Sequence, residues 1–324
     1  MPPGDTRRGR AGRLSLGRGA QTGPDRLGER AAGGGRRGGG VRREFAPLLL
    51  LAALWGGSFL FMRIAAPAFG PLPLIALRVG LAACLLLPLL CWRGLLPLWR
   101  ARWRAIAVVG VFLTALPFCL IAWAQLSLSA GMASVLNATT PLMTALWAWP
   151  LAGERPGARR LAGLALGLAG VAALLLGRGA RFDAAALAPV LAMLGATACY
   201  GWAGHMTRRW LPGMPSLLTA CGGLASGALL LLPLAWWNWP ASPAPARAWL
   251  AVALLALLCT ALAYLIFYRL IDRLGATGAS GVTYLVPVFG VLWGALFLGE
   301  AVSAAMLAGA ALILGGVLLL NARR

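Results

Sequence analysis

The sequence predicts an all-α polytopic membrane protein, with ten transmembrane helices arranged as two inverted five-helix repeats. The chain is 60% hydrophobic and 11% charged, and without water in a bilayer core such a chain crosses it as helices or as a closed barrel. Its long apolar runs lack the alternation of barrel strands, which favours helices. The stretch Pro141–Leu174 also recurs without a gap at Pro287–Leu320, which indicates a duplicated chain.

The repeat is carried by residue types that seldom match by chance in an apolar chain. Pairs 146 positions apart include Pro141/Pro287, Trp147/Trp293, Gly153-Glu154/Gly299-Glu300, Gly163/Gly309 and Gly170/Gly316. A looser match at 145 relates Ala53–Gly56 to Ala198–Gly201. These matches predict a first repeat at 44–180 and a second at 181–324.

Runs of about 20 apolar residues, the length one crossing needs, occur ten times between boundaries of Arg, Pro and Gly. In chain order they are 45–66, 71–92, 103–124, 128–150, 158–177, 184–206, 214–237, 247–268, 276–298 and 302–321. The first span matches the sixth, the fourth matches the ninth and the fifth matches the tenth. Because five spans, an odd number, separate each pair, equivalent helices cross the membrane in opposite directions.

Arginines in the short loops predict the orientation. With Arg78 left inside a span, 24 arginines fall on one side and four on the other, namely Arg63, Arg178, Arg181 and Arg247. By the positive-inside rule the arginine-rich side is cytoplasmic. The chain has no lysine, which is typical of a GC-rich bacterial gene. We therefore expect a multi-pass bacterial inner-membrane protein with both termini in the cytoplasm.

The net charge of +21 does not indicate a nucleic-acid partner. Eleven of the arginines lie in the Gly/Arg-rich segment 1–43, which has too few large apolar residues to fold. This predicted disordered cytoplasmic tail is either a polybasic arm for anionic lipid or a dispensable extension. The six cysteines all lie in apolar runs without metal-ligand spacing, so they read as packing residues. No cofactor, metal or catalytic residue is expected.

The residues from about Phe45 to Asn321 resemble the EamA-type branch of the drug/metabolite transporter superfamily. The resemblance rests on Leu54–Phe59, Ala76–Arg78, the block Ala130–Gly163 and its copy Ala276–Gly309. It implies a central substrate cavity lined by spans one to four and six to nine, with the fifth and tenth spans peripheral. It also implies transport, often export, of small metabolites or amino acids.

Arg78 is the one charge placed clearly inside the membrane, about 10 Å deep at 1.5 Å per residue. Two interpretations stand. The side chain either snorkels to the outer headgroups or faces the cavity and holds an anionic group, such as a substrate carboxylate, with its fork of donors.

Two repeated prolines point to a site at the middle of the membrane. Pro141 and Pro287 are each predicted near the middle of a helix, where proline frees the carbonyl four residues earlier. The freed carbonyls belong to Asn137 and Thr283. The neighbouring polar side chains and two aromatic residues at equivalent points of the repeats complete the predicted substrate-binding set, which is Arg78, Asn137, Thr283, Trp55, Tyr200, Tyr284 and Thr140. The alternative is a packing kink in which polar side chains cap the carbonyls.

Three further features have a structural interpretation. His205 is expected to be a helix-end residue, with pH sensing as the alternative. Glu154 and Glu300 are expected to cap the helices that follow them. Gly163 and Gly167 form a small-residue face that serves either packing within the protomer or a homodimer contact.

The sequence thus predicts a secondary transporter, an exporter of a small-molecule substrate that works by alternating access in a uniport-like manner. The alternative is a membrane-embedded scaffold or partner subunit without transport activity. An enzyme is disfavoured, because one histidine and no nucleophile–base pair are available.

Overall fold

Apolar runs broken by glycine, proline and arginine fold as helices throughout the described part of the chain. The computed structural model describes residues 36–153, 155–177 and 184–321, and every regular element within these ranges is helical. Most of the predicted tail lies outside the described residues, as do Glu154, Arg178, Arg181, Asp183 and the last three residues.

The α-helices are α1 (Arg36–Phe69), α2 (Pro71–Trp92), α3 (Leu96–Gly110), α4 (Leu116–Ala124), α5 (Ala130–Asn137), α6 (Thr140–Ala152), α7 (Ala158–Leu176), α8 (Ala184–Trp210), α9 (Ser216–Trp237), α10 (Ala246–Ala256), α11 (Ala263–Ser280), α12 (Val282–Leu298) and α13 (Ala304–Asn321). Two π-helical segments, Val111–Ala115 and Leu257–Leu262, continue α3 into α4 and α10 into α11. α11 bends sharply at Gly275, whose φ of 74° is accessible to glycine at little cost.

Nine of the described helical stretches are long and apolar enough to cross a membrane, so the chain is a multi-span membrane protein. The predicted span 128–150 is not among them, because Ala138 and Thr139 separate α5 from α6. Thr139 Oγ1 donates to Leu136 O and Thr140 Oγ1 to Asn137 O, each at 2.8 Å. The hydroxyls add hydrogen bonds at the end of α5, where Leu136 O also accepts from Thr139 N at 3.1 Å. Such bonds let the break lie inside an apolar bundle.

The two repeated prolines occupy different positions in their helices. Pro287 lies inside α12, as predicted. Pro141 instead lies in the first turn of α6, where the missing N–H costs nothing. The prediction of a mid-helix kink is therefore wrong for Pro141, since the helix has already ended at Asn137.

The two π-helical segments begin 146 residues apart (257 − 111 = 146), which is the offset of the sequence repeat. Each contains a buried threonine at the equivalent point, Thr114 and Thr260. Thr114 Oγ1 donates to Gly110 O and Thr260 Oγ1 to Leu255 O, each at 2.8 Å. Short π-helical segments are rare and frequently mark functional sites.

Glycines hold α7 closely against α13. A Cβ at Gly163 would lie 2.7 Å from Gly316 O, and one at Gly170 would lie 2.8 Å from Gly309 O. These two pairs require the helices to run antiparallel. A Cβ at Gly167 would meet Leu142 of α6. The small-residue face predicted on α7 is thus used for packing within the protomer.

Two tryptophans connect the halves of the sequence in matching ways. Trp147 Nε1 donates to Ala198 O at 2.9 Å, and Trp293 Nε1 donates to Ala53 O at 3.0 Å. Glycines bring the same helices together, since a Cβ at Gly201 would lie 2.8 Å from Thr144 N and one at Gly56 would lie 2.8 Å from Gly290 N. Accordingly, α6 packs on α8, and α12 packs on α1.

Two neighbouring glycines of α13 should respond oppositely to a methyl group. Gly316→Ala places Cβ 2.5 Å from Gly163 O, and such overpacking typically costs about 1–3 kcal/mol. Gly315→Ala meets only Leu166 Cδ2 at 3.5 Å, so the better helix propensity of alanine, up to about 1 kcal/mol, should dominate. The melting temperature in detergent should fall for the first variant and hold or rise for the second. Equal melting temperatures would contradict this packing of α7 on α13.

Candidate functional site

Arg78 lies inside the bundle and does not reach the surface. Its side chain is 4% exposed, on the face of α2 that also buries Ile75, Val79 and Ala82. An arginine that snorkels would expose its guanidinium group, so the burial favours the interior interpretation over the headgroup interpretation.

The guanidinium group of Arg78 has three close partners in the described part of the chain. Nε donates to Thr260 Oγ1 at 3.0 Å, and Nη1 lies 3.4 Å from Met62 Sδ. Cζ sits 3.7 Å from the centroid of the Phe118 ring, within the range of a cation–π interaction. The partners therefore come from α1, from α4 and from the π-helical segment that follows α10.

None of these partners carries a negative charge. Thr260 Oγ1 accepts from Arg78 while it donates to Leu255 O, so one hydroxyl acts both as acceptor and as donor at the π-helical turn. The titratable side chains that act electrostatically on Arg78 are Tyr200, Tyr264 and Cys259. Burying a charge without a counter-ion is expensive, and an anionic ligand would reduce that cost.

Aromatic side chains extend from Arg78 in two directions. The Phe118 ring contacts Tyr200 with centroids 6.5 Å apart. Tyr264 stacks on Tyr268 at 5.9 Å, and Phe267, next in the series, contacts Trp55 at 5.1 Å and Tyr268 at 6.0 Å. Phe118 thus connects Tyr200, a residue of the predicted site, to Arg78. The other rings connect Trp55, a second predicted residue, to Tyr264.

The residues around the helix break bond mainly to each other. Asn137 O accepts from Thr140 Oγ1, and Thr139 Oγ1 lies 3.1 Å from Thr197 Oγ1 of α8. Asn137 Oδ1 is buried and has no hydrogen-bond partner among the described residues. The capping of carbonyls by hydroxyls matches the packing alternative, whereas the unpaired amide oxygen leaves Asn137 with an acceptor for a ligand donor.

Two other residues of the predicted substrate-binding set, Thr283 and Tyr284, are bonded to groups away from Arg78. Thr283 Oγ1 donates to Ser280 O at 2.8 Å, and Tyr284 Oη accepts from Asn321 Nδ2 of α13 at 2.7 Å. These bonds direct Thr283 to the end of α11 and Tyr284 to the end of α13. No contact in the described part of the chain joins either residue to Arg78.

His205 has partners for both ring nitrogens. Nε2 lies 2.9 Å from Thr144 O and Nδ1 lies 3.1 Å from Arg208 Nη2. These contacts fix the ring between α6 and α8, as expected of a structural helix-end residue.

Sequence reasoning missed Thr260, Phe118, Met62 and Tyr264 as neighbours of Arg78. The repeat offset did contain a signal, since Thr114 matches Thr260 (260 − 114 = 146) and Phe118 matches Tyr264 (264 − 118 = 146). Phe118 and Tyr264 both lie near Arg78, whereas Thr114 contacts Gly223. Met62 has no such signal.

The repeat equivalent of Arg78 is a glycine at a close contact between two helices. At the offset of 145, which also pairs Pro88 with Pro233, Arg78 matches Gly223. A Cβ at Gly110 would lie 2.3 Å from Gly223 Cα, and Thr114 Oγ1 lies 3.4 Å from Gly223 O. Where Arg78 occupies space beside Thr260, two glycine backbones touch beside Thr114.

Glu300 does not cap the helix that follows it. Its Oε1 accepts from Ala130 N at 2.7 Å and its Oε2 from Gly131 N at 3.0 Å, so it caps α5 of the first repeat. The start of α13 is capped instead by Ser303 Oγ, which accepts from Met306 N at 3.1 Å. The expectation for Glu300 was wrong because the two residues it binds are far away in sequence. Glu154, its repeat equivalent, lies outside the described residues.

Arg63 lies at the same end of the bundle. Its Nη1 donates to Gln125 O and to Leu126 O, the latter at 3.0 Å. Gln125 Nε2 in turn donates to Phe59 O of α1 at 2.8 Å. These bonds and those of Glu300 connect α1 and the loop before α13 to residues 125–131 at this end of the bundle. Within residues 36–153, 155–177 and 184–321, no cluster of three or more His, Cys, Asp or Glu could hold a metal ion.

The chain is similar to several curated transporters. It is 29% identical to a probable terminal-alkyne amino-acid exporter of Streptantibioticus cattleyicolor, over 85% of this chain and 92% of that protein. It is 29% identical to the inner membrane transporter YedA of Escherichia coli strain K12, over 80% of this chain and 84% of that one. A solved crystal structure shares the fold, with a TM-score of 0.62, 23% identity and coverage of 85% of this chain and 95% of the other.

The model of the EamA-like transporter family matches the chain twice, at residues 45–176 and 187–322. These two matches cover nearly all of the chain after the tail. The protein therefore belongs to the EamA-like transporter family.

Proposed function

We propose that the protein exports a small metabolite or amino acid that carries a carboxylate, and that Arg78 binds this carboxylate. The observation that carries the proposal is a guanidinium group buried inside the bundle with only neutral partners. Arginine binds a carboxylate through two parallel N–H donors, and a substrate carboxylate would provide the counter-charge that the described side chains around Arg78 lack.

The surrounding side chains fit an amphipathic solute. Phe118 provides a ring face at the charge, and Thr260 provides a hydroxyl. Tyr264, which stacks on Tyr268, lies near enough to interact electrostatically with Arg78. The proposed direction of transport follows the name of the relative in Streptantibioticus cattleyicolor, a probable terminal-alkyne amino-acid exporter. For this chain, export and the amino-acid class are part of the proposal.

We further propose that the chain folds as ten spans in two inverted halves, 44–180 and 181–324, with α5 and α6 together forming the fourth span. The family model matches each half once. The antiparallel pairs Gly163/Gly316 and Gly170/Gly309 exchange with each other when the halves are exchanged, as a two-fold relation between inverted halves requires. Such halves can rock about a site between them, which is alternating access.

A scaffold without transport activity is the alternative from the sequence. Neither relative described above is named as a scaffold, and both names describe transporters. A scaffold would also gain nothing from burying an unpaired arginine, whose cost a transporter recovers when substrate binds. We therefore retain transport as the function and do not assign an enzymatic activity.

Both termini are proposed to lie in the cytoplasm. The positive-inside rule places the arginine-rich loops there, and Arg63, Leu126, Arg247 and Glu300, all assigned to the outer side, line one cavity. A fusion of alkaline phosphatase after Arg324 should be inactive, and a fusion of green fluorescent protein at the same point should fluoresce. The reverse pair of results would refute this orientation.

Arg78→Leu should reduce export strongly, because hydrogen bonds to charged groups contribute about 1.5–3 kcal/mol each, or roughly tenfold to a hundredfold in apparent affinity. The solute is first identified by metabolite profiling of cells with and without the gene, and the variants are then compared by its efflux rate. Thr260→Val, which removes a partner of Arg78, should raise the apparent KM as well.

Thr114→Val is the matched control for Thr260→Val. Both threonines are buried at equivalent points of π-helical segments, but only Thr260 contacts Arg78. Membrane levels of every variant are measured by immunoblot. Normal efflux by Arg78→Leu, or equal loss in the two threonine variants, would exclude Arg78 as the substrate site.

Transport is proposed to follow the substrate gradient. Proton or sodium coupling usually uses an ionisable group at the membrane midplane, and the site built around Arg78 contains no carboxylate. Purified protein in liposomes should move the solute down its own gradient at a rate that an imposed pH gradient does not change. Concentrative uptake or efflux driven by a pH gradient at zero membrane potential would overturn uniport.

A further inference from the structure

A cavity of about 930 Å³ lies at the end of the bundle where Glu300 and Arg63 make their hydrogen bonds. Its charged lining consists of Arg63, Arg247 and Glu300, and its apolar lining includes Leu250, Leu254 and Phe297. The volume lies within the range of small-molecule sites. We refer to it as the arginine cavity.

The charges of the cavity favour an anion. Glu300 already accepts a backbone N–H with each carboxylate oxygen, so its charge is stabilised by the N-terminus of α5. Both hydrogen bonds of Arg63 to described residues use Nη1, which leaves Nε and Nη2 to donate to a ligand. Arg247 is exposed at the start of α10. Two guanidinium groups therefore remain for a negatively charged group.

The apolar wall favours an amphipathic ligand over an inorganic anion. Leu250 is 61% exposed and Phe297 is 66% exposed, beside the two arginines. A small inorganic ion would leave this surface uncovered, whereas a carboxylate with an apolar substituent would contact both parts of the lining.

The arginine cavity adjoins the residues that hold Arg78. Met62, a partner of Arg78, lies between Phe61 and Arg63 in α1, and both of these line the cavity. Thr260, the other partner, follows Leu254 of the lining by six residues on the same continuous helix. The same two helices thus carry the cavity at their ends and the Arg78 site deeper in the bundle.

We propose that the arginine cavity is a second binding site, separate from the Arg78 site, and that it binds the carboxylate of the transported solute between Arg63 and Arg247. This inference rests on the proposed function. The solute is preferred to a lipid as occupant because the cavity lies directly beside Met62, a partner of Arg78 at the proposed solute site.

The test measures the charge preference of a thiol placed in the cavity. Leu254→Cys protein in phosphatidylcholine nanodiscs is treated with an anionic sulfonatoethyl or a cationic trimethylammonioethyl methanethiosulfonate. Peptide mass spectrometry follows modification at position 254, so the native cysteines can stay. Adding Arg63→Gln and Arg247→Gln should lower the anionic-to-cationic rate ratio about tenfold, the scale of electrostatic focusing in a charged cleft. An unchanged ratio would overturn the proposal.

Trp236→Cys is the matched control. Trp236 is 84% exposed at the end of α9 and does not line the cavity, so the two glutamine substitutions should leave its rate ratio unchanged. If its ratio falls as much as that at position 254, the effect is a general surface charge and the cavity site is excluded.

Occupancy is tested by protection. N-acetyl-leucine, a carboxylate, should slow modification at position 254, and neutral N-acetyl-leucinamide of the same shape should not. If phosphatidylglycerol in the nanodisc blocks modification and N-acetyl-leucine has no effect, the occupant is a lipid and the proposal fails. Protection that persists in Arg78→Leu protein supports a binding site in the cavity that is separate from the Arg78 site. Protection together with normal efflux by Arg78→Leu would retain the cavity site while rejecting Arg78 as the transport site.

Discussion

The structure depends on keeping one positive charge, Arg78, inside an apolar bundle. Its side chain is 4% exposed, so the guanidinium group must be stabilised by the side chains around it. A hydroxyl from a π-helical turn, a thioether and an aromatic face perform this task. All three are neutral, and together they leave the charge uncompensated. An environment of this kind is suited to bind and release an anionic substrate, because a fixed carboxylate in the protein would compete with a substrate carboxylate.

Duplication explains how such an environment could arise from packing residues. The π-helical segments of the two repeats provide Thr114 and Thr260 at equivalent points. Beside Thr114 the facing helix has Gly223, and the backbones of Gly110 and Gly223 touch. Beside Thr260 it has Arg78, whose side chain fills the corresponding space. One arginine in place of one glycine therefore distinguishes a candidate binding point from a tight helix contact, and it leaves the bundle with one such point instead of two.

The sequence alone predicted the helical class and the nine described helical stretches that are long enough to cross a membrane, because hydropathy acts locally along the chain. It left open whether Arg78 is buried in the bundle or reaches the headgroups. It did not predict the break at Ala138 and Thr139, since a short polar stretch such as Asn137–Thr140 is compatible with both a continued helix and a hydroxyl-capped end. The partners of Arg78 were missed for a different reason. Thr260 lies 182 residues away, and only the packing of the helices decides which threonine is adjacent. Glu300 was misread for the same reason, because its amide partners are 169 and 170 residues away.

The hydrogen bonds of Glu300 and Arg63 hold one end of the bundle together but are weak enough to be broken. A carboxylate on two amides and a guanidinium group on two carbonyls are charge-assisted hydrogen bonds, yet both residues are half-buried, so water can replace much of each bond when the contact opens. The net cost of opening is then a few kcal/mol at most. Two conformations separated by that amount can both be populated, and a ligand that binds one of them better shifts the balance. Closing the same end with an apolar plug of comparable area would instead expose that surface on opening and hold the bundle in one state.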